Sequence, residues 1–387
     1  MNFDFSDEQQ QLREAVEQFL AKEYPFERRA AILRSGAGWD PAVWQGLAQL
    51  GVTAINVPAA LGGLGYGAME TLVLMSACGP RLLLEPVLSS AVIATTLLRE
   101  LAGAAPPDGA AAELLRALAR GAQIAVVAHF EPGARFDTQR VETRARRTGA
   151  GAGSGYRLDG RKSVVVHAGS ADILLVSART RGDASDPEGV SLFALPRTTP
   201  GVKLIEYTNV DGQRAADVHL EEALVAESTR LGTEGEALGA IEAAFDFGLA
   251  ALCAEAVGIM QGLIEATVEY LRTRQQFGQP IGRFQALQHR VAEMIMHLEQ
   301  SRSMSYLAAL RCTAADLGER RRALSAAKVV IGEAARFVGQ QAVQLHGGMG
   351  MTDELAVSHH FKRLTAIEIL LGDGDAHLER YAALARD

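Results

Sequence analysis

The spacing of apolar residues changes twice along the chain, and these two changes most constrain its fold. From about residue 6 to 119, and again from about residue 233, apolar residues recur every three or four positions, which predicts amphipathic helices. Between them, short β-rich runs alternate with turns, which predicts a small antiparallel β-domain. The 387 residues therefore predict an α+β chain: an N-terminal helical domain (1–121), a middle β-domain (122–232) and a C-terminal helical bundle (233–387).

Local signals place several elements within this frame. Ser6 followed by Gln9 is a capping-box signature for a helix to about Tyr24, and Pro41 opens a second helix that ends near Leu50. The C-terminal part has few helix breaks, which predicts a bundle of four long antiparallel helices. Five runs predict strands: Ile124–Ala128, Lys162–His167, Ile173–Ser177, Ser191–Leu195 and Val218–Leu220.

Three segments that resemble ligand-binding loops lack the necessary context. Gly62–Gly67 (GGLGYG) follows no strand, which argues against a Rossmann site. Gly149–Gly155 (GAGAGSG) precedes no helix and is predicted to be a hairpin or a loose loop. The short basic run Arg144–Arg147 is interpreted as a solvated strand edge or turn, with an anion site as the alternative.

Composition argues against several classes of protein. The net charge of −8 argues against a nucleic-acid surface, which needs a basic stripe. The cysteines Cys78, Cys253 and Cys312 lie in apolar stretches without metal-ligand spacing, so we expect buried thiols in a reducing compartment and no metal site. The acidic N-terminus is not typical of a signal peptide, and we predict no membrane span and a cytoplasmic location.

Two C-terminal segments carry a resemblance to a known family. Tyr270–Gln288 reads YLRTRQQFGQPIGRFQALQ, and Gln344–Thr352 reads QLHGGMGMT. In this order they resemble the arginine–glutamine–phenylalanine–glycine and Q-x-x-G-G-x-G segments of the acyl-CoA dehydrogenases. Weaker agreement in VPAALGGLGYGAME, FEPGARFD and DGRKSVVVHAGSADILLV extends the resemblance over almost the whole chain. It implies an α-bundle, a β-domain and a four-helix bundle, with FAD bound between two subunits.

The resemblance also implies which residues hold FAD across the subunit interface. Arg274 offers a planar fork to pyrophosphate oxygens, Phe277 packs on the adenine side, and Gly278 lets the backbone come close. Each residue has a structural alternative: a surface ion pair for Arg274, a core position for Phe277, and a helix cap and turn for Gly347–Gly350. His346 is interpreted as structural. The full cofactor set is Arg274, Gln276, Phe277, Gly278, Gln285, Gln344, Gly347 and Gly348.

The chain departs from the family pattern where a subunit binds its own flavin. The usual T-E-P-G-A-G-S-D run is FEPGARFD here, so Phe130 and Phe136 replace two hydroxyl residues. In the second run, Lys162–His167, Val166 replaces another hydroxyl. Three lost hydrogen bonds at about 1–3 kcal/mol each weaken binding by roughly 100-fold or more. Four other residues of the first run match the family and are typical of a turn: Glu131, Pro132, Gly133 and Asp137.

The family's catalytic glutamate is also missing. In Leu371–Asp375 (LGDGD), Gly372 falls on the glutamate, and Asp373 does so only with a one-residue shift. At the alternative position on an earlier helix stands Gly248, followed by Leu249 where an arginine often contacts CoA. Loss of a positioned base removes about 10²–10⁴-fold in rate.

The segments that the resemblance assigns to a neighbour's FAD are intact, whereas the hydroxyls and the glutamate of the chain's own site are missing. Three hypotheses follow from this asymmetry. The leading one is the base-deficient subunit of an α₂β₂ enzyme that desaturates an acyl-CoA thioester, because the chain resembles the branch acting on pimeloyl-CoA or steroid side chains. Its partners would be a homologous subunit, or itself in a dimer or tetramer, and an electron acceptor such as an electron-transfer flavoprotein. The second is a self-sufficient flavoenzyme with Asp373 or Asp375 as base, although both also suit the N-cap of a last helix at Ala376–Arg386. The third is a non-catalytic binding or structural protein.

Overall fold

The computed structural model describes residues 5–103, 109–149 and 154–384. Residues 150–153 of the predicted glycine-rich loop, the first four residues and the end of the predicted last helix lie outside these ranges. The α-helices are α1 (Asp7–Glu23), α2 (Phe26–Ser35), α3 (Pro41–Gln49), α4 (Ala68–Cys78), α5 (Thr95–Ala102), α6 (Ala110–Ala119), α7 (Leu238–Thr273), α8 (Gln285–Arg311), α9 (Leu317–His346), α10 (Ala356–Ile369) and α11 (Gly374–Leu384). The strands are β1 (Ala125–Ala128), β2 (Arg144–Thr148), β3 (Gly155–Val166), β4 (Ile173–Arg179), β5 (Val190–Pro196), β6 (Val202–Thr208), β7 (Arg214–Ala226), β8 (Arg230–Leu231), β9 (Gln275–Gln276) and β10 (Gln279–Pro280).

The chain forms two compact units by its internal contacts. The first unit comprises Met1–Arg34, Ala68–Leu83 and Leu249–Asp387. The second unit comprises Ser35–Gly67 and Leu84–Gly248. Helices α1, α2, α4 and α8 to α11 belong to the first unit, and the main sheet with α3, α5 and α6 belongs to the second.

The main sheet of the second unit is predominantly antiparallel, which confirms the predicted class. Within the described residues it has eight strands in the order β6-β7-β3-β2-β4-β5-β8, with β1 beside β4. Strands β1 and β2 pair with β4 in parallel, whereas the remaining neighbours are antiparallel. The five predicted runs fall on β1, β3, β4, β5 and β7, with Ile124 and His167 just outside their strands. The basic run Arg144–Arg147 lies in β2, between β3 and β4, so its interpretation as a strand edge or a turn is wrong.

The helix signals are largely confirmed in the first unit. Ser6 and Gln9 form the predicted capping box of α1. The C-terminal helices pack as a bundle, in which α9 contacts α8, α10 and α11. Arg363 on α10 and Glu255 on α7 form a buried bidentate ion pair, with Nε–Oε1 at 2.7 Å and Nη2–Oε2 at 2.8 Å. Such a pair fixes the register of two helices, because either charge left alone would be buried without compensation.

Helix α7 corrects the expectation that no segment is long enough to span a membrane. Its 36 residues include a window with a mean hydropathy of 1.7, which meets the requirement of length and composition. However, 89% of that window is buried inside the protein, as in the core helix of a globular fold. The three cysteines are free and buried, as expected.

Candidate functional site

A short β-hairpin between α7 and α8 presents an aromatic ring to solvent. Strands β9 and β10 pair antiparallel around a two-residue turn, Phe277-Gly278, with φ of 53° and 78°. Two positive φ values are typical of a type I′ turn, which favours Asn-Gly and penalises a bulky first residue. The Phe277 side chain is 89% exposed, so the alternative of a core position is wrong. A strained, exposed aromatic residue indicates a recognition surface.

The segment Gln344–Thr352 begins at the end of α9 and contacts the end of α7, which precedes this hairpin. The rings of Tyr270 and His346 stack with their centroids 4.4 Å apart and thereby join the two segments. His346 is structural, as interpreted, because it is buried and its Nδ1–H donates to the Ala342 carbonyl at 2.9 Å. Burial lowers the pKa of His346, so the ring stays neutral. Added Cβ atoms at Gly347 and Gly348 would meet nothing within 4 Å, so this backbone is open to a ligand.

Four polar side chains on these segments have unused hydrogen-bonding capacity. Each is exposed and makes no side-chain hydrogen bond or ion pair within the described residues: Arg274, Gln276, Gln285 and Gln344. The alternative of an ion pair for Arg274 therefore finds no support. Neighbouring Gln288, by contrast, donates from Nε2 to the Gly282 carbonyl at 2.9 Å. Free donors, an exposed ring and open glycine backbone fit the ADP part of FAD.

At the three positions where the family pattern has hydroxyls, the second unit carries Phe130, Phe136 and Val166. Phe130 is half-buried and stacks on Phe245 at 5.0 Å between centroids, and the His129 ring meets Phe130 edge-on at 5.4 Å. Phe136 is half-buried, with the Arg135 guanidinium 5.8 Å from its ring centroid. Val166 ends β3 with an apolar side chain. The aromatic wall of Phe130 and Phe245, like the side chains of Phe136 and Val166, presents apolar carbon and no donor for the polar edge of an isoalloxazine.

A buried polar network holds this aromatic wall in place. Lys162 Nζ donates to Glu131 Oε1 at 2.7 Å, to Ser177 Oγ at 3.0 Å and to the His129 carbonyl at 3.1 Å. Burial lowers the pKa of Lys162 to about 8. Burial also lowers the pKa of His129 to about 3, so its neutral ring donates from Nε2 to the Thr138 carbonyl at 3.0 Å.

Glu131 stabilises the local backbone through its carboxylate, in keeping with the turn role predicted for it. It accepts hydrogen bonds from the backbone N–H groups of Glu142 at 2.6 Å and Thr143 at 3.0 Å. Burial opposes its ionisation, but Lys162 and these N–H groups outweigh burial and hold the pKa of Glu131 below its usual value. Asp137 likewise accepts from the Gln139 N–H at 2.9 Å.

The position of the family glutamate is crowded by the His377 ring. Gly372 has a φ of 110°, and a Cβ built there would lie 2.5 Å from His377 Nε2. Sequence reasoning missed the residue that fixes this loop, Lys328. Its buried Nζ donates to the carbonyls of Glu368, Leu370 and Gly372 at 3.1, 2.7 and 2.6 Å. The sequence offered one signal for this residue, a single lysine within an apolar stretch of α9. A charged group in such a place is either exposed or buried with its hydrogen bonds satisfied.

The aspartates in this loop occupy helix-capping positions. Asp373 precedes α11, and its Oδ1 accepts from the Ala376 N–H at 2.9 Å, as an N-cap does. Asp375 is exposed in the first turn of α11, where an acid favours the helix dipole. On α7, Gly248 supplies no carboxylate and Leu249 supplies no cation for CoA, because neither side chain carries a charge. Both residues are buried.

Comparison with known proteins gives a consistent result. The models of the acyl-CoA dehydrogenase N-terminal, middle and C-terminal domains match residues 6–100, 127–223 and 236–385. An L-prolyl-[peptidyl-carrier protein] dehydrogenase of Pseudomonas fluorescens is 31% identical over 344 residues, which is 87% of this chain and 88% of that protein.

Two solved structures are similar over nearly their whole length. A variant of the Tcur3481–Tcur3483 steroid ACAD is 26% identical with a TM-score of 0.85, covering 98% of each chain. PigA with FAD and proline is 26% identical with a TM-score of 0.85, covering 100% of this chain and 99% of that one. With three family domains matched in order and a relative above 30% identity, the chain belongs to the acyl-CoA dehydrogenase family of FAD-dependent oxidoreductases.

Proposed function

We propose that the chain is the base-deficient subunit of a heteromeric, α₂β₂ acyl-CoA dehydrogenase. Its first unit contacts the ADP part of an FAD whose ring lies in a homologous partner subunit. The cofactor residues are Arg274, Gln276, Phe277, Gly278, Gln285, Gln344, Gly347 and Gly348. The assembly is cytoplasmic and passes electrons to an acceptor such as an electron-transfer flavoprotein.

One observation carries this proposal: the ADP-side surface is ready for a ligand, whereas the positions of the base are closed. Phe277 is held exposed in a strained turn beside the free guanidinium of Arg274. A glutamate at the position of Gly372 would have to displace the His377 ring, because its Cβ would lie 2.5 Å from His377 Nε2. A self-sufficient enzyme needs both parts in one chain, whereas a subunit that completes its partner's site needs only the first.

Within the reaction, this chain binds and orients. FAD, when bound, accepts the β-hydride of the acyl thioester. Arg274 would neutralise pyrophosphate charge, and the backbone at Gly347 and Gly348 would approach the dinucleotide closely. The α-proton would go to a carboxylate of the partner subunit. The substrate class is an acyl-CoA of fatty-acid or steroid type, in keeping with the similar steroid ACAD.

The test is to co-express the chain with a relative that keeps the T-E-P-G run and the glutamate, and then to measure FAD per subunit. We expect little FAD on the lone chain and retention by the complex. Arg274→Ala should weaken FAD retention by about 10–100-fold, the equivalent of a charge-assisted hydrogen bond. Arg272→Ala is the matched control, because Arg272 is exposed in the same segment. Stoichiometric flavin on the lone chain would refute the proposal.

The self-sufficient alternative makes a different prediction for Asp373. If Asp373 is only the N-cap of α11, Asp373→Ala lowers the free energy of unfolding by about 0.5–2 kcal/mol and leaves turnover of the complex unchanged. Urea unfolding and a dye-reduction assay measure the two effects, and Asp375→Ala tests the other candidate base in the same way. A turnover loss of 100-fold or more for either variant, at about the magnitude of a missing base, would establish the alternative.

A second candidate concerns the carrier of the acyl group. The prolyl relative is named for a peptidyl-carrier protein, and buried Leu249 replaces the arginine expected to contact CoA. Under this alternative the complex would oxidise a carrier-protein thioester in preference to the CoA thioester of the same acid. Measuring kcat/KM for both thioesters separates the candidates.

A further inference from the structure

The first unit contains a cavity that plays no part in the proposed cofactor site. Its volume is about 320 Å³, and helices α1, α4, α7 and α8 form its walls. This volume lies within the range of small-molecule sites, about 300–1,000 Å³. The deep wall is apolar and carries Leu72, Val73 and Val257, each at most 6% exposed.

One polar atom in this apolar wall is unsatisfied. Ser305 is 2% exposed, and its Oγ has no hydrogen-bond partner within the described part of the chain. A buried hydroxyl without a partner costs about 1–3 kcal/mol, so the cavity favours an occupant that offers a polar atom to it. Ser76, which also lines the cavity, is instead satisfied by donating to the Ala254 carbonyl at 3.3 Å.

The rim of the cavity carries two guanidinium groups, Arg13 and Arg302, that keep unused N–H donors. Arg13 bonds Glu17 through Nε at 2.7 Å, which leaves both of its Nη groups without a described partner. Arg302 donates from Nη2 to Gln261 Oε1 at 2.8 Å and pairs with Glu299 through Nη1 at 3.0 Å, so its Nε is unused. Glu265 also lines the rim and accepts from the Gln261 side chain.

We propose that this cavity binds a small amphipathic carboxylate. The apolar body lies against Leu72 and Val257, and the carboxylate accepts hydrogen bonds from the Ser305 hydroxyl and from the unused N–H groups of Arg13 and Arg302. Guanidinium donors favour a carboxylate over a neutral or cationic head of equal length. Glu17 and Glu265 face the same rim; Glu17 is neutralised by its ion pair with Arg13, whereas Glu265 accepts only from the neutral Gln261 amide.

The experiment compares three ligands of equal chain length, octanoate, octan-1-ol and octylamine, by titration calorimetry on the full chain. We expect octanoate to bind best. Arg302→Gln and Arg13→Gln should each weaken it about 10-fold, equivalent to one charged hydrogen bond. Ser305→Leu should abolish binding by filling the cavity. Arg311→Gln, on the same helix and similarly exposed at 48%, should have no effect.

Two results would overturn the proposal. One is octan-1-ol or octylamine binding as tightly as octanoate, because the rim would then not select an anion. The other is unchanged octanoate affinity in Arg302→Gln and Ser305→Leu, which would place binding elsewhere. Thermal unfolding checks that each variant is folded, and Ser305→Ala replaces Ser305→Leu if the larger side chain prevents folding. Ser305→Ala should weaken octanoate by about 5–10-fold, and unchanged affinity counts against the site.

Discussion

Glu85 is a buried carboxyl in the second unit that links stability to pH. It is 2% exposed, and its Oε1 accepts from the Asp40 N–H at 3.2 Å, at the start of α3. Burial raises its pKa from 4.5 to about 7. A raised carboxyl pKa means that the folded state holds its proton more tightly than the unfolded chain. Its contribution to stability is therefore full below pH 4.5 and declines until about pH 7.

The Glu85→Gln variant tests this linkage. Glutamine keeps the acceptor for Asp40 but cannot ionise, so its stability relative to wild type should rise between pH 4.5 and about 7. The rise should approach about 3 kcal/mol, at about 1.4 kcal/mol per pKa unit. Urea unfolding across this range measures it. Burial lowers the pKa values of His360 and His377 to about 4, so these residues make stability rise with pH, opposite to Glu85. Their effect is the same in both proteins and cancels when the stability of wild type is subtracted from that of the variant. Parallel pH profiles would contradict the assignment.

Lys328 shows how one residue determines what a loop can do. Its Nζ binds the carbonyls of Glu368, Leu370 and Gly372, three groups that end α10 and form the following loop. Burial lowers its pKa to about 8. Lys328→Met should destabilise the fold by roughly 3 kcal/mol, because three carbonyls, of which that of Gly372 is buried, lose their donor. Lys22→Met, at an exposed position, is the control, and guanidinium unfolding measures both.

At the scale of elements, the hairpin between α7 and α8 has a residue, Phe277, that suits the proposed FAD contact but not the stability of its turn. A type I′ turn favours asparagine at the position of Phe277. Phe277→Asn should therefore raise the free energy of unfolding by up to about 1 kcal/mol, while lowering FAD retention in the complex. Denaturation and flavin fluorescence measure the two effects. A variant that is less stable and retains FAD fully would show that Phe277 serves the fold instead.

Sequence prediction missed elements whose formation depends on tertiary contacts and not on a local pattern of apolar residues. Helix α2 was not predicted, because its ten residues carry only two buried positions, Arg29 and Ile32. Strand β6 was missed because most of its residues are partly or fully exposed, so it lacks the alternation of a strand in the core. The segment Val87–Ala94 forms a π-helix, whose i→i+5 hydrogen bonds do not follow the period of the α-helices predicted for this part of the chain.

At the scale of the whole molecule, the proposal concerns assembly. With a complete homologous partner, native mass spectrometry should show an α₂β₂ complex with one FAD for each partner chain. No additional flavin should lie against the wall of Phe130 and Phe245 in this chain. One FAD on every subunit would contradict the proposed division of labour. The three-domain division at residues 121 and 232 stays a prediction.

The sequence alone determined the fold class and the family, because apolar spacing and two motifs are local properties of the chain. It also showed that hydroxyls and a glutamate were absent, since an absent residue type is visible in the letters. Only the tertiary structure decided that Gly372 is closed by His377, that Phe277 is exposed, and that Arg274 has no described partner. The reason is physical: steric room, solvent exposure and pairing depend on residues distant in sequence that folding brings together.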